Sequence, residues 1–265
     1  MKRKKPVSQA FQTIISQLES QFLAKDEAIR MMMVAAVAGE HMVLVGPPGT
    51  AKSALVRQFA QQVNATYFEY LLTRFSEPNE LFGPVDIQAY RSGSYRRVTE
   101  GMLPEAEIVF LDEAFKANSA ILNTLLAIMN ERNYNNGTQT IQVPLISLFA
   151  ASNEVPSDES LDAIYDRFLL RVYSDNLDSY YFQSLLERGL NFEKTRMSSQ
   201  EKNVSATLSS QELRETQRTL LDKVTFPESF KSAYKNLCFQ LRGEGISFSD
   251  RRLIRFMKLF AAHAV

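Results

Sequence analysis

The chain has little cysteine and no long apolar segment near its start. Its one cysteine, Cys238, cannot form an internal disulfide, and such scarcity is typical of a reducing compartment. The longest apolar run in this region, Met31 to Ala38, is too short to cross a bilayer. Polar residues follow the basic first residues, where a secretory signal would need an apolar core. These absences predict a soluble, cytoplasmic protein without a membrane span.

Neither sign of charge is in excess. The chain of 265 residues carries 30 basic and 30 acidic side chains, so its formal net charge is zero. Proteins that coat nucleic acid or anionic membranes usually carry a basic surplus, so the balance disfavours both classes. The one basic block, Lys2 to Lys5, is interpreted as a solvated arm.

The most informative segment is a small-residue turn between two apolar patterns. Met42–Val45 predicts a strand and Leu55–Val63 a helix, so the turn leads into a helix N-terminus. Backbone N–H groups there bind phosphate, Lys52 would meet the β- and γ-phosphates, and Ser53 would ligate Mg²⁺. The expected nucleotide-binding residues are Gly46, Pro47, Pro48, Gly49, Thr50, Ala51, Lys52 and Ser53. Ala51 stands where the general pattern has glycine.

A second motif places two carboxylates at the end of an apolar strand. Asp112 and Glu113 follow Ile108–Leu111, at the position where open α/β sheets bind ligands. Asp112 would hold Mg²⁺, mostly through water, and Glu113 would act as general base toward the attacking water. Taken alone, the pair could be two solvated acids. Its combination with the phosphate loop favours nucleotide hydrolysis.

Two further polar residues lie next to predicted strands. Asn153 can hydrogen-bond both the γ-phosphate and the lytic water, although by itself it is equally a turn residue. Arg167 lies too far around the sheet to serve its own nucleotide easily, and it is predicted to reach a neighbour's. An arginine supplied in trans increases the rate by about 10³ to 10⁵ in related chemistry.

Helical and strand patterns alternate along the first two thirds of the chain. Continuous apolar strands between helices indicate a mainly parallel sheet covered on both faces. Two hairpins are expected as insertions, over 85–98 and over 132–143, the latter because of its Asn-Gly pair. The expected elements are a helical region over 8–38, strands over 42–45, 66–72, 108–111, 145–151 and 168–173, a loop over 191–210, and four helices after 177.

The chain resembles the MoxR family of AAA+ ATPases, within it the RavA-like members, over nearly its whole length. The resemblance rests on the phosphate loop with its alanine, on 73–76, 81–84 and 101–116, and on 121–126, 130–132, 150–154 and 165–167. It implies an α/β AAA+ P-loop fold with a five-stranded parallel sheet in the order 5-1-4-3-2, over 1–176. A small all-α lid would follow over 177–265, expected to be truncated because the last helix has no stop signal.

The resemblance also implies roles and partners. Asn153 becomes sensor 1, Arg167 the arginine finger and Arg251 the sensor 2 residue, with Arg252 as the alternative. The bound nucleotide would be ATP or ADP with Mg²⁺, held between the α/β domain and the lid. The chain would form a homo-oligomeric ring, a hexamer, that remodels or assembles protein complexes like a chaperone. A von Willebrand factor A domain protein is the implied partner.

Two other functions remain open at this point. A DNA-stimulated AAA+ motor or restriction-type translocase would show cations on the hairpin over 132–143, which is neutral apart from Arg132 at its base. A nucleotide-binding scaffold without turnover would not need Glu113, Asn153 and Arg167 together. Both are therefore less favoured than hydrolysis in a ring.

Overall fold

The computed structural model describes residues 7–176, 179–197, 206–246 and 248–265. Its helices are α1 (Val7–Gln21), α2 (Asp26–Ala38), α3 (Lys52–Gln62), α4 (Pro78–Phe82), α5 (Ile87–Arg91), α6 (Ser119–Glu131), α7 (Asp162–Tyr165), α8 (Phe182–Met197), α9 (Ser210–Lys223), α10 (Glu228–Gly243) and α11 (Asp250–Ala264). Its strands are β1 (His41–Val45), β2 (Tyr67–Leu71), β3 (Ile108–Asp112), β4 (Asn133–Asn136), β5 (Gln139–Gln142), β6 (Ser147–Ser152) and β7 (Phe168–Tyr173).

Five strands form one parallel sheet in the order β2-β3-β6-β1-β7. Counted along the chain without the hairpin strands, this is the order 5-1-4-3-2, so the expected sheet is confirmed. Because the strands are parallel, their last residues share one border of the sheet, here called the carboxyl edge. Their first residues share the opposite border, the amino edge.

Both faces of the sheet are covered by helices. All five residues of β1 are buried, as expected for a central parallel strand. Met42 and Leu44 belong to an apolar cluster with α1, α2 and α3, while Val43 and Val45 belong to a cluster with α4 and α6. Successive side chains of a strand point to opposite faces, which explains why β1 contributes to both clusters. Packing of β1 on both faces therefore holds the loop that follows Val45 in a fixed position relative to the sheet.

The helical region expected over 8–38 consists of two helices. Ala24 adopts a left-handed φ of 48°, and α2 begins after Lys25. Gly39 ends α2 with a φ of 68° and donates its N–H to carbonyls of the last turn. The break matters because it brings Lys25 to the carboxyl edge.

The hairpin expected over 85–98 is wrong. This fully described segment contains the short helix α5, and a single antiparallel bridge from Val85 to Arg97 joins its flanks. The Asp86 side chain accepts hydrogen bonds from the N–H groups of Gln88 and Ala89. That N-cap favours a helical turn over strand pairing.

The segment over 132–143 contains the antiparallel hairpin β4–β5, with Gly137 in its turn at a φ of 68°. Its Asn136 amide accepts a hydrogen bond from the Arg97 N–H (2.6 Å) and donates one to the Arg97 carbonyl (3.0 Å). A Cβ at Gly137 would lie 1.7 Å from the carbonyl oxygen of Tyr95. The two insertions are therefore locked into one unit, and only glycine fits at the point of contact.

The described part of the chain after β7 is mainly helical, as expected, and two of its helices, α9 and α11, lie near the amino edge. Helices α9 and α11 pack against α2. Arg214 of α9 donates hydrogen bonds to the Glu107 carboxylate (2.7 Å) and the Pro144 carbonyl, and both residues lie at the amino edge. Apolar residues of α9 and α11, such as Leu213 and Ala261, enter the core cluster of that face and hold the two helices there.

The loop expected over 191–210 is also partly wrong, because α8 continues to Met197 and α9 begins at Ser210. Residues 198–205 of that expectation lie outside the described residues. None of the described helices is long and apolar enough to cross a membrane. The division into domains over 1–176 and 177–265 stays a prediction.

Candidate nucleotide site

The phosphate loop connects β1 to α3 at the carboxyl edge. Gly46 donates its N–H to the Ser152 carbonyl (2.9 Å), and a Cβ at Gly46 would lie 2.2 Å from the carbonyl oxygen of Ser174. Gly49 has open space around its Cα, with a φ of 81°. Ala51 adopts a left-handed φ of 60° immediately before α3. The loop thus has the backbone shape of an anion cradle, with alanine in a conformation that favours glycine.

Lys52 is folded onto the loop itself. Its side chain is buried, and the Nζ atom donates hydrogen bonds to the carbonyls of Gly46 (2.8 Å) and Pro47 (2.9 Å). Burial lowers the pKa of Lys52, while the carboxylates of Asp112 and Glu113 raise it. The ammonium therefore lies between the loop and the two acids, where it can exchange carbonyls for phosphate oxygens.

Lys25 is a second cation at this edge, and it was not among the residues predicted for the site. Its Nζ donates to the Ser174 hydroxyl (2.9 Å) and to the Asp175 carbonyl (3.0 Å). The Ser174 hydroxyl in turn donates to Thr50 of the loop (3.4 Å). Burial lowers the pKa of Lys25, and the charge of Lys52 lowers it further. The available signal in the sequence was a lysine at the start of a helix. Only the interruption between α1 and α2 shows that this side chain reaches the carboxyl edge.

The acidic pair lies at the end of β3. The backbone N–H of Glu113 donates to Asp112 Oδ1 (3.0 Å), and Glu113 itself adopts a left-handed φ of 53°. Asn153 Nδ2 donates to Glu113 Oε1 at 2.5 Å, and Lys116 Nζ lies 3.2 Å from the same oxygen. The structure therefore joins the expected base and the expected amide directly.

The predicted metal ligands are Ser53, which follows Lys52, and Asp112, which ends β3 at the same edge. No cluster of three metal-ligating side chains occurs among the described residues. Mg²⁺ usually keeps several waters and takes only one or two protein ligands besides substrate phosphates. A hydroxyl and a carboxylate beside a phosphate cradle are the donor set that this binding mode needs.

Arg167 and Arg251 lie at the opposite side of the sheet. Arg167 comes directly before β7, whereas the phosphate loop follows the last residue of β1, the parallel neighbour of β7. A strand of five residues spans about 16 Å. Arg251 lines a cleft with Gly39 and Glu40, which precede β1. Neither arginine is therefore placed at the phosphate loop of its own chain, and the roles of Arg167 as arginine finger and Arg251 as sensor 2 stay predictions.

The charges at the amino edge are poorly balanced. Burial lowers the pKa of Arg167, and the positive charges of Arg251 and Arg255 lower it further. The buried Arg167 Nε has no hydrogen-bond partner among the described residues. Arg252, the alternative sensor 2 residue, is instead paired with Asp166 at 3.1 Å.

A five-stranded parallel sheet of this order, with a phosphate loop after β1 and an acidic pair at the end of β3, defines the AAA+ class of P-loop ATPases. Residues 9–218 match a family model described as the MoxR domain in the MoxR-vWA-beta-propeller ternary systems. The chain belongs to the MoxR family. The closer resemblance to RavA-like members stays a prediction.

Relatives and a solved structure agree with this assignment. An uncharacterized protein of Methanocaldococcus jannaschii is 42% identical over 252 residues, which cover 94% of this chain and 65% of that protein. Chaperone MoxR1 of Mycobacterium tuberculosis is 28% identical over 154 residues, or 57% of this chain and 40% of that protein. The chain thus spans less than two thirds of the length of both relatives.

The fold is also found in the crystal structure of a candidate ATPase from Cytophaga hutchinsonii. The TM-score is 0.75 at 20% identity, over 96% of this chain and 79% of that one. At this identity the match supports the fold alone.

Proposed function

We propose that this chain hydrolyses ATP as one subunit of a homo-oligomeric ring, a hexamer, that remodels or assembles protein complexes. The observation that carries the proposal is the separation of the two charged sets. The phosphate loop, Glu113 and Asn153 lie at the carboxyl edge, while Arg167 lies at the amino edge. A second copy that presents its amino edge to the first would complete the site.

In this scheme the loop N–H groups and Lys52 bind the phosphates of ATP. Glu113 accepts a proton from water as the water oxygen attacks the γ-phosphorus and the bond to the β-phosphate oxygen breaks. Asn153 holds the Glu113 carboxylate in place. Ser53 and Asp112 would hold Mg²⁺, which neutralises charge on the phosphates.

Arg167 of the neighbouring subunit would spread the charge that develops on the γ-phosphoryl group. Arg251 lies close enough to Arg167 to influence its pKa, so it would face the same neighbouring nucleotide. We therefore assign sensor 2 to Arg251 in trans.

The partner we propose is a von Willebrand factor A domain protein, because the matching family model is described from MoxR-vWA-beta-propeller systems. The DNA motor gains no support, since the hairpin β4–β5 carries no charged side chain. Stimulation of ATP hydrolysis by DNA would favour that alternative again.

The experiment that tests hydrolysis measures assembly and phosphate release on the same samples. Glu113→Gln should bind ATP normally but hydrolyse it about 10² to 10⁴ times more slowly, because the proton acceptor is lost. The control Glu215→Gln changes an exposed acid of α9 and should leave the rate unchanged. Hydrolysis by Glu113→Gln at the normal rate would contradict the general-base assignment.

A further inference from the structure

A cleft at the amino edge lies on the opposite border of the sheet from the phosphate loop, and Arg251, assigned above to a neighbour's nucleotide, is one of its lining residues. It has a volume of about 820 Å³, within the range typical of small-molecule sites. Helices α2, α6, α9 and α11 all contribute to its walls. Its charged lining residues are Glu40, Arg132, Arg218, Arg251, Arg255 and Lys258.

Five cations share this cleft with one carboxylate. Glu40 is 3% exposed, and its carboxylate is already bound by Lys258 (2.7 Å) and lies 3.7 Å from Arg255. The side chains of Arg218 and Arg251 have no hydrogen bond or ion pair with any residue that the structure describes. The cleft therefore keeps a surplus of positive charge that its own acid cannot neutralise.

Arg132 is repelled by another cation of the cleft, Arg255. Burial lowers the pKa of Arg132 to about 10, and the charge of Arg255 lowers it while Glu40 opposes the shift. Arg132 remains in place because it donates hydrogen bonds to the Met129 and Gly39 carbonyls. An anion in the cleft would relieve this repulsion, since opposite charge nearby favours the charged form of each guanidinium.

Two further features describe what the anion should carry. The Oδ1 atom of Asn130, another lining residue, is buried without a hydrogen-bond partner among the described residues. Rotation about the soft terminal torsion of Asn130 would turn this acceptor toward a ligand hydroxyl or amine. Met129, Leu145 and Ile254 supply apolar wall for an uncharged body.

We infer that this cleft is a second binding site for a phosphorylated small molecule of the nucleotide type, within a single chain and separate from the phosphate loop. Arg218 and Arg255 bind the phosphate groups, Asn130 accepts from a sugar hydroxyl, and the apolar wall contacts the base. The same phosphate chemistry could instead come from the ATP of a neighbouring subunit. The test must separate these two sources.

The probe is ADP, titrated at a protein concentration at which sedimentation shows single chains. The expected result is that each chain binds a second ADP. Arg218→Glu should weaken the affinity of this second site for ADP by at least about tenfold. Lys52→Ala should affect the other ADP, and the double variant should bind neither. The control Lys235→Glu makes the same change of charge on an exposed position of α10 and should leave both sites unchanged.

A stoichiometry of one ADP that Arg218→Glu does not alter would overturn the inference. Binding that depends on Arg218 only when chains are assembled would also overturn it, because the phosphate would then belong to the neighbour.

Asn130→Ala distinguishes a ligand contact from a structural role. It should raise the melting temperature by about 3 °C, since an unsatisfied buried acceptor is removed, and weaken ADP by about tenfold. Pyrophosphate, which has no sugar hydroxyl, should bind the Asn130→Ala variant as before; equal weakening of both probes would contradict the assigned contact.

Discussion

The two edges of the parallel sheet differ in how their charges are satisfied. At the carboxyl edge Lys52 and Lys25 are hydrogen-bonded to nearby oxygens, and Glu113 is bound by Asn153 and Lys116. At the amino edge Arg167 has a buried, unpartnered Nε, and Arg251 has no ion pair with any described residue. These charged groups of the carboxyl edge already have partners within the chain. The amino edge carries cations that gain partners only from outside the chain.

This difference agrees with the proposed role of Arg167, which lies at the edge opposite the phosphate loop of its own chain. A buried donor without a partner costs about 1 to 3 kcal/mol. Such a cost is typical of groups retained for binding rather than for folding. We expect the largest effect on activity from a substitution that removes a proposed catalytic group from one edge. The smallest effect, on stability, should come from a change at a single backbone position.

The largest effect should come from Arg167→Ala. We expect a loss of about 10³ to 10⁵ in ATP hydrolysis, because the transition-state charge loses its partner. Mixing this variant with Lys52→Ala should restore part of the activity, since each subunit keeps the edge that the other lacks. Phosphate release from the mixture measures the rescue.

Its control is the stability of the single variant. Arg167→Ala should not lower the free energy of unfolding, because Arg167 is repelled by Arg251 and Arg255 and has an unpartnered Nε. A mixture as inactive as either variant alone, with normal assembly, would show that the two edges do not share a site.

The second prediction concerns Glu40, the acid that lines the cleft at the amino edge. Glu40→Gln should lower the free energy of unfolding by about 3 kcal/mol, because it leaves Lys258 and Arg255 beside a neutral group. Urea denaturation measures the loss. The exposed Glu215→Gln on α9 is the matched control and should be nearly neutral.

The double variant Glu40→Gln with Lys258→Met should recover part of this loss, since it removes one of the unpaired charges. Equal stability of Glu40→Gln and the native chain would mean that α11 does not pack over the amino edge.

Much of the carboxyl edge could be predicted from sequence because its chemistry is local. The phosphate loop, Asp112 with Glu113, and Asn153 each follow an apolar strand, and parallel strands bring their ends together. The amino edge could not be predicted in the same way. The position of Arg251 depends on how the apolar faces of α9 and α11 pack against α2. The spacing of apolar residues predicts those helices but does not determine which face of the sheet they cover.

The same distinction applies to smaller elements. The Asn-Gly pair predicts the hairpin β4–β5 through turn chemistry, whereas α5 replaces an expected hairpin because the Asp86 cap outweighs a weak alternation of residues. Lys25 was missed because a tertiary contact with Ser174, 149 residues away, gives it a role.

The third prediction tests Lys25 as part of the carboxyl edge. Lys25→Met keeps the length of the side chain but removes its charge, so we expect the Kd for ATP to rise about tenfold. Isothermal titration at two salt concentrations should show a weaker salt dependence for the variant. The exposed Lys223→Met is the control. Unchanged affinity would place Lys25 outside the nucleotide site and leave it a purely structural contact to Ser174.

The smallest effect should come from the phosphate loop itself. Ala51 adopts a φ of 60°, a conformation that costs a residue with a Cβ roughly 1 to 2 kcal/mol relative to glycine. Glycine also gains more freedom in the unfolded chain, so the net stabilisation of Ala51→Gly should be at most about 1 kcal/mol. Thermal unfolding measures it, and Ala54→Gly inside α3 is the matched control, with an expected loss of about 1 kcal/mol. The opposite signs follow from backbone conformation alone, because both substitutions remove the same methyl group. If both variants are destabilised alike, the left-handed turn before Lys52 is not the conformation of the free loop.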